Sequence, residues 1–134
     1  MLVEVNSRWH LTDFAPLTLA CIGYEALSET ISAYVDPERF GSLPSEPRQL
    51  IRHGRVVHLV CSVEGTLVKV QHMDELQSME SFAGIDVYPG FSTPGGHVEP
   101  TIDIRSDAGW VRLVHESEEV VEKDYQRTVD LMPT

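Results

Sequence analysis

The side chains best suited to chemistry in this sequence lie within its first ten residues. The segment Glu4-Val5-Asn6-Ser7-Arg8 closes a short apolar run that predicts a buried strand. Alternation along a strand places Glu4, Asn6 and Arg8 on one face. Carboxylate and amide oxygens are ligands for Mg²⁺ held jointly with phosphates, and an arginine fork binds a phosphate or carboxylate beside them. Such a set would be half of a phosphoryl-transfer site, but the pattern is short and unspecific, and its spacing alone favours three solvated polar groups at a strand end.

Two helices are predicted to follow this strand. The first runs over residues 12–22, with a capping side chain at its start and Gly23 as its C-terminal stop. The second runs over residues 24–34 and ends before Asp36-Pro37. Residues 42–53, which carry two prolines, are predicted to form a linker.

Beyond the linker the apolar residues alternate with a period of two, which predicts a small antiparallel sheet. One hairpin is expected where residues 56–63 and 66–70 flank Glu64-Gly65, and a second where residues 98–104 and 110–115 flank a four-residue turn. The other elements expected are a helix, a strand and a closing helix, at residues 73–82, 85–88 and 117–132. The sequence thus predicts an α+β chain.

Composition limits the classes of partner. The chain has 134 residues, with 10 Lys and Arg against 21 Asp and Glu, for a net charge of −11. Such acidity disfavours nucleic acid and anionic membrane surfaces as partners. No apolar run approaches the roughly 20 residues of a membrane span, so a cytoplasmic protein is expected. Cys21 and Cys61 lie among apolar residues, which predicts buried, reduced thiols.

The histidines and the other charged residues suggest no second site. The six histidines do not pair at ligand spacing, so zinc is disfavoured; they stand at positions 10, 53, 58, 72, 97 and 115. His10 shares the face of Arg8 and is an alternative contact for substrate. His58 and Cys61 are predicted to lie on opposite strand faces as core residues, rather than as a base and a nucleophile. Asp103, Arg105 and Asp107 are interpreted as a cross-strand ion pair on the last hairpin.

The opening segment and the helices after it resemble a known family. Val3-Glu4-Val5-Asn6-Ser7-Arg8, followed by an apolar helix and Ile22-Gly23-Tyr24-Glu25-Ala26-Leu27, is similar to the end of the ATP-grasp fold. In that family the last strand of the ATP-binding domain carries Glu-x-Asn with an Arg two residues later. The helices that follow contain a glycine next to a hydrophobic residue. The later part, with Gly54-Arg55-Val56-Val57 and Pro94-Gly95-Gly96-His97-Val98-Glu99-Pro100, resembles the small C-terminal domain of ATP-grasp carboxylate-amine ligases. That group includes L-amino-acid ligases.

The resemblance implies a division of the chain into parts. Residues 1–41 would be the C-terminal end of an ATP-grasp domain, with its last strand and helices. Residues 42–53 would be a linker. Residues 54–134 would be a small α+β domain made of an antiparallel sheet with two helices.

The resemblance also implies an activity. The family phosphorylates a carboxylate with ATP and lets an amine displace the phosphate. Glu4 and Asn6 would coordinate the Mg²⁺ ions that bridge the ATP phosphates. Arg8 would be both a nucleotide contact and the catalytic residue that steadies the γ-phosphate or the acyl-phosphate.

The sequence shows no glycine-rich phosphate loop, adenine-clamping lysine or second acidic Mg²⁺ ligand. We therefore expect the chain to be a C-terminal fragment that is inactive alone and uses ATP and Mg²⁺ only in the complete enzyme. Its expected partners are the missing N-terminal ATP-grasp domains or a second chain, with a carboxylate and an amine as small-molecule substrates. The alternative is a stand-alone, non-catalytic binding or dimerisation module whose opening strand pairs with another copy. An exposed apolar face favours the first hypothesis, and Leu2, Val3 and Val5 covered by the chain's own helices would favour the second.

Overall fold

The computed structural model describes residues 14–46 and 49–132, and the chain forms two compact units, Met1–Ile51 and Arg52–Thr134. Helices and antiparallel strands are both present, so the predicted α+β class is confirmed at that level. The point between the two units falls within residues 42–53, the predicted linker. In the described part of the chain no helix is long and apolar enough to cross a membrane.

The first unit contains three helices, which are α1 (Ala15–Ile22), α2 (Ala26–Val35) and α3 (Pro37–Gly41). Gly23 ends α1, as predicted, with φ of 76° and its N–H donating to the Leu19 carbonyl. This left-handed conformation is one that glycine adopts at little cost. Asp36 ends α2 as expected, but its carboxylate also accepts the Arg39 N–H and begins α3, a helix that the sequence did not predict.

Glu25 explains why α2 begins at Ala26. Its backbone is extended, with φ −140° and ψ 155°, and its carboxylate accepts the N–H groups of Leu27 and Ser28. The Ser28 hydroxyl also donates to Glu25 and is the main reason that the pKa of this carboxyl is lowered. Burial acts in the opposite direction, and the two backbone donors lower the pKa further. Glu25 is thus a charged N-cap that determines where α2 begins after α1.

The second unit is built on a three-stranded antiparallel sheet in the order β1-β5-β3, with a separate two-stranded ribbon formed by β2 and β4. Its strands are β1 (His53–His58), β2 (Gly65–Thr66), β3 (Phe82–Val87), β4 (His97–Val98) and β5 (Gly109–His115). Its helices are α4 (Met73–Gln77), α5 (Pro89–Ser92) and α6 (Glu118–Asp130).

The pairing differs from both predicted hairpins. β5 bonds to β1 and β3, while β2 bonds to β4, so neither hairpin forms. After β1 the chain continues alongside the segment that leads into β5. The N–H of Leu59 donates to Gly109, and Cys61 and Thr101 bond to each other through backbone and side-chain groups. These contacts keep the chain from folding back at Glu64-Gly65.

The predicted ion pair across the last hairpin is also wrong. Asp103 and Arg105 belong to one exposed turn, in which the Asp103 carboxylate accepts the backbone N–H and the guanidinium of Arg105. The Arg105 backbone N–H is the main reason that the pKa of Asp103 is lowered, followed by its side chain. Asp107 is buried and contacts neither of them.

The helix predicted at residues 73–82 ends early. α4 stops at Gln77, and Phe82 already belongs to β3. Between them lies Ser81, which is fully buried and donates both its N–H and its hydroxyl to the carboxylate of Asp124 on α6. A buried charge held by two hydrogen bonds is costly to separate from its partner. This contact therefore fixes Ser81 outside the helix.

The core of the second unit lies between the sheet and the helices. Its buried members are Val57, Leu76, Val111, Leu113 and Val121. On α6, Val121 is buried and Tyr125 packs on the core, while Val129 is 40% exposed; Met132, just after the helix, also packs on the core. Cys21 and Cys61 are both buried, as predicted.

Gly109 at the start of β5 provides a test of this fold. Its φ is 129°, and a Cβ there would lie 2.0 Å from the Asp86 carbonyl oxygen. We expect Gly109→Ala to destabilise the protein by about 3 kcal/mol or more, from backbone strain and the clash together. Gly65→Ala is the control, because nothing lies within 4 Å of its added methyl group. Urea unfolding followed by circular dichroism measures both, and equal midpoints would contradict the placement of Gly109.

Candidate functional site

The predicted Mg²⁺ and nucleotide residues lie outside the described part of the chain. Glu4, Asn6 and Arg8, together with His10, all precede residue 14, the first that the structure describes. Their roles stay predictions. The structure does describe the next segments of the chain, namely the two helices joined at Gly23 and the charged cap at Glu25.

Helix α2 carries a row of exposed apolar side chains. Leu27, Ile31, Tyr34 and Val35 recur at the spacing of one helical face, and they are 55%, 50%, 83% and 75% exposed. We call these four residues the α2 stripe. A continuous apolar row of this kind on a soluble protein typically marks a contact surface.

The opposite edge of α2 is polar and carries an ion pair, although the second carboxylate oxygen of Glu29 is buried without a partner among the described residues. Glu29 is largely buried and forms an ion pair with Arg39 of α3 at 3.0 Å, and the same guanidinium contacts the Ser32 hydroxyl. Arg39 thus joins α3 to α2. The two faces of α2 therefore differ, with one held by the unit's own contacts and one apolar and exposed.

In the second unit the structure brings together two residues that the sequence analysis treated separately. Nδ1 of His58, at the end of β1, lies 2.5 Å from Oδ2 of Asp107. Asp107 is 3% exposed, whereas the His58 side chain is 34% exposed. A buried carboxylate on Nδ1 holds the ring in one orientation and leaves Nε2 with its lone pair. His58 therefore has the arrangement of an oriented base.

The surroundings of His58 are aromatic and charged. His58 lies opposite Trp110 in the β1–β5 register, and Asp86 of β3 lies opposite Trp110 from the other side. The Trp110 ring stands 6.5 Å from that of His58 and 5.7 Å from that of Tyr88 in an edge contact. Trp110 lies on the sheet face opposite to Val111, outside the buried core cluster.

The same sheet face carries an arginine that approaches the backbone. Arg112 is paired with Asp86 at 2.5 Å, and its side chain is 14% exposed. A Cβ on Gly84 would lie 2.7 Å from the guanidinium, so the absence of a side chain at Gly84 makes room for it. Within the described residues, three buried polar atoms on this side of the unit have no protein partner: Asp107 Oδ1, Trp110 Nε1 and Arg112 Nε.

Cys61 does not join His58. Its thiol donates to the Val63 carbonyl at 3.2 Å and is buried. The prediction that both residues pack in the core is confirmed for Cys61 and wrong for His58, whose side chain is 34% exposed. The histidine had a different partner, 49 residues away, that no local pattern could indicate.

A cavity of about 720 Å³ lies on the other side of the sheet, within the second unit. Its walls come from β3, from α4, from the end of α6 and from the ribbon, and most of the lining is aliphatic or aromatic. The volume is in the range of small-molecule sites. Lys69, His72, Arg127 and Asp130 are its charged or titratable lining residues.

Within residues 14–46 and 49–132, no group of three or more His, Cys, Asp or Glu side chains is placed to hold a metal ion. His97 contacts two carboxylates. Its Nε2 lies 3.6 Å from Glu99 and 3.9 Å from Glu64, and all three side chains are well exposed. These contacts are those of a solvated surface pair.

Comparison with known proteins gave no relative, because no family model, no curated protein and no solved structure matches this chain.

The orientation of His58 can be tested by its tautomer. We expect neutral His58 to carry its proton on Nδ1, because the Asp107 carboxylate accepts it. In Asp107→Asn the amide donates to Nδ1, so the proton should move to Nε2. Long-range ¹H–¹⁵N correlation spectra of the imidazoles, at a pH where the rings are neutral, distinguish the two forms.

His97 is the internal control in the same spectra, since it is far more exposed and its tautomer should not respond to Asp107→Asn. An Nε2–H form of His58 in the unaltered chain would contradict the hydrogen bond.

Proposed function

We propose that this chain works as the C-terminal part of an ATP-dependent carboxylate-amine ligase of the ATP-grasp type. The observation that carries the proposal is the order of features at the start of the chain. A Glu-x-Asn-x-Arg segment is followed by a helix, a left-handed glycine at Gly23 and a second helix. That order is the one that the resemblance to the ATP-grasp family implies.

The residue types suit the chemistry. The oxygens of Glu4 and Asn6 are hard ligands of the kind that Mg²⁺ takes together with ATP phosphates. In the proposed reaction a substrate carboxylate attacks the γ-phosphorus and ADP leaves. An amine then attacks the acyl carbon, and phosphate leaves. Arg8 would neutralise charge on the transferred group, for which a guanidinium fork is well suited.

A strand with two oxygen ligands does not hold Mg²⁺ by itself, because this ion loses its water shell reluctantly. The remaining ligands and the adenine site would come from ATP-grasp domains on the same protein or on a second chain. The α2 stripe supports this part of the proposal. Four exposed apolar side chains on one helix face suit contact with another protein surface better than contact with water.

The proposed setting is the cytoplasm. Cys21 and Cys61 are both buried, and their neighbours in the sequence are apolar, which suits reduced thiols in a reducing compartment. The chain's charge of −11 makes nucleic acid and anionic membranes poor partners, so the proposed substrates are small molecules, a carboxylate and an amine.

A second candidate function is a stand-alone, non-catalytic binding module. The cavity of about 720 Å³ favours it, because its volume is that of a small-molecule site and all of its lining residues belong to the second unit. In that case Glu4, Asn6 and Arg8 would be solvated residues at a strand end, and the opening strand would pair with a second copy.

The ligase proposal predicts an activity that depends on Glu4 and Asn6. The chain, tagged after Thr134, is purified from its source with whatever protein accompanies it and supplied with Mg-ATP, mixed carboxylates and hydroxylamine. We expect ADP and hydroxamates, the latter from trapped acyl-phosphates. The double variant Glu4→Gln, Asn6→Ala should reduce both by about 10³-fold, because the metal's charge stabilises the transition state.

Glu64→Gln is the matched control, since Glu64 is an exposed carboxylate with only a distant histidine contact. Calorimetry of the isolated chain with Mg²⁺ and a non-hydrolysable ATP analogue should show no binding. Hydroxamate formation that persists in the double variant, or its absence from the native preparation, would contradict the proposal. Saturable binding by the isolated chain would show that the nucleotide site needs no further domain.

A further inference from the structure

The cavity of the second unit has walls suited to an apolar molecule. Ile85 and Val87 of β3 form one wall, Leu76 of α4 another, and Leu131 and Met132 after α6 a third. The volume of about 720 Å³ is larger than that of a packing defect filled by bound water, and it lies in the range of small-molecule sites. Apolar walls of this extent stabilise a ligand in proportion to the hydrocarbon that it removes from water.

The charged groups of the lining are mostly basic. Lys69, His72 and Arg127 line the cavity against one acid, Asp130. Counted without histidine, as in the chain total of 10 basic and 21 acidic residues, two basic groups line the cavity with one acid, so the balance of charge is locally reversed. It favours an anion over a cation as the polar end of a ligand.

Two of the three basic groups are held in place. Nε of Arg127 donates to Oε1 of Glu75 at 2.6 Å, and Nδ1 of His72 lies 3.5 Å from Oε2 of the same residue. Lys69 differs, because within the described residues its ammonium has no acidic partner. It is the cation at the cavity that remains available to a ligand.

The backbone of His72 is an independent indication that this part of the cavity lining contacts a ligand. It is the one non-glycine residue with positive φ in the described part of the chain, at φ 60° and ψ 10°. Its side chain makes no capping hydrogen bond to α4, although it stands at the N-cap position. Left-handed backbone at a non-glycine residue costs energy and is concentrated at ligand-contacting sites.

We propose that the second unit binds an amphipathic monocarboxylate in this cavity, with its hydrocarbon chain against the aliphatic walls and its carboxylate on the ammonium of Lys69. Arg127 and His72, both held by Glu75, line the same cavity. The site uses residues of the second unit alone, so it does not rest on the proposed ligase activity.

The test is calorimetric titration of the full chain with decanoate, decanol, decylamine and acetate, each below its micelle concentration. We expect saturable 1:1 binding of decanoate with Kd below about 1 mM, no binding of acetate, and affinities for decanol and decylamine at least about tenfold weaker. Shortening the acid should weaken binding by roughly threefold to fourfold per methylene.

Lys69→Gln should weaken decanoate about tenfold and leave decanol unchanged, and Lys69→Glu should reverse the preference between decanoate and decylamine. Lys123→Gln is the matched control, because Lys123 is an exposed lysine of α6 that does not line the cavity. Ile31→Ser controls for adsorption to the α2 stripe, and Glu4→Gln separates this site from the nucleotide site.

Three results would overturn the proposal. They are the absence of saturable decanoate binding, equal affinity for decanoate and decylamine in the unaltered chain, and an equal response to Lys69→Gln and Lys123→Gln. Loss of decanoate binding in Ile31→Ser would place the ligand on the α2 stripe instead and would also count against the cavity.

Discussion

Strand β5 must satisfy hydrogen bonds on both of its edges, and the second unit depends on that constraint. Its neighbours β1 and β3 both precede it in the sequence. Each forms hydrogen bonds with a different edge of β5. Val111 and Leu113 on this strand are fully buried. The core, the polar face around His58 and the wall of the cavity are therefore all positioned by one strand near the end of the chain.

The sequence predicted local structure well and long-range pairing poorly. The stop at Gly23, the burial of Cys21 and Cys61 and the closing helix follow from local chemistry and are confirmed. Both hairpins were wrong, because a turn signal such as Glu64-Gly65 indicates a reversal of the chain but does not choose the partner strand. The helix at residues 73–82 was predicted too long, because its end depends on Asp124, a buried carboxylate 43 residues beyond Ser81.

The same limit applies to functional residues. Glu4, Asn6 and Arg8 were proposed from spacing and resemblance, and they lie outside the described residues. His58 and Asp107 are joined only by the fold, so no spacing rule could connect them. A sequence can indicate which residue types suit a site when they are adjacent, as in Glu-x-Asn-x-Arg. The lining of the cavity comes from six separate stretches between residues 59 and 132, so no local sequence pattern could reveal it.

Amide hydrogen exchange measured residue by residue on the intact chain would test the central role of β5 most directly. The account predicts that the amides of Val111, Arg112 and Leu113 exchange only through global unfolding, since both edges of β5 are covered. The amides of residues 68–70, which belong to no strand, should exchange much faster. Equal protection of residues 56–63 and 66–70, as a hairpin would give, together with fast exchange in β5, would contradict it.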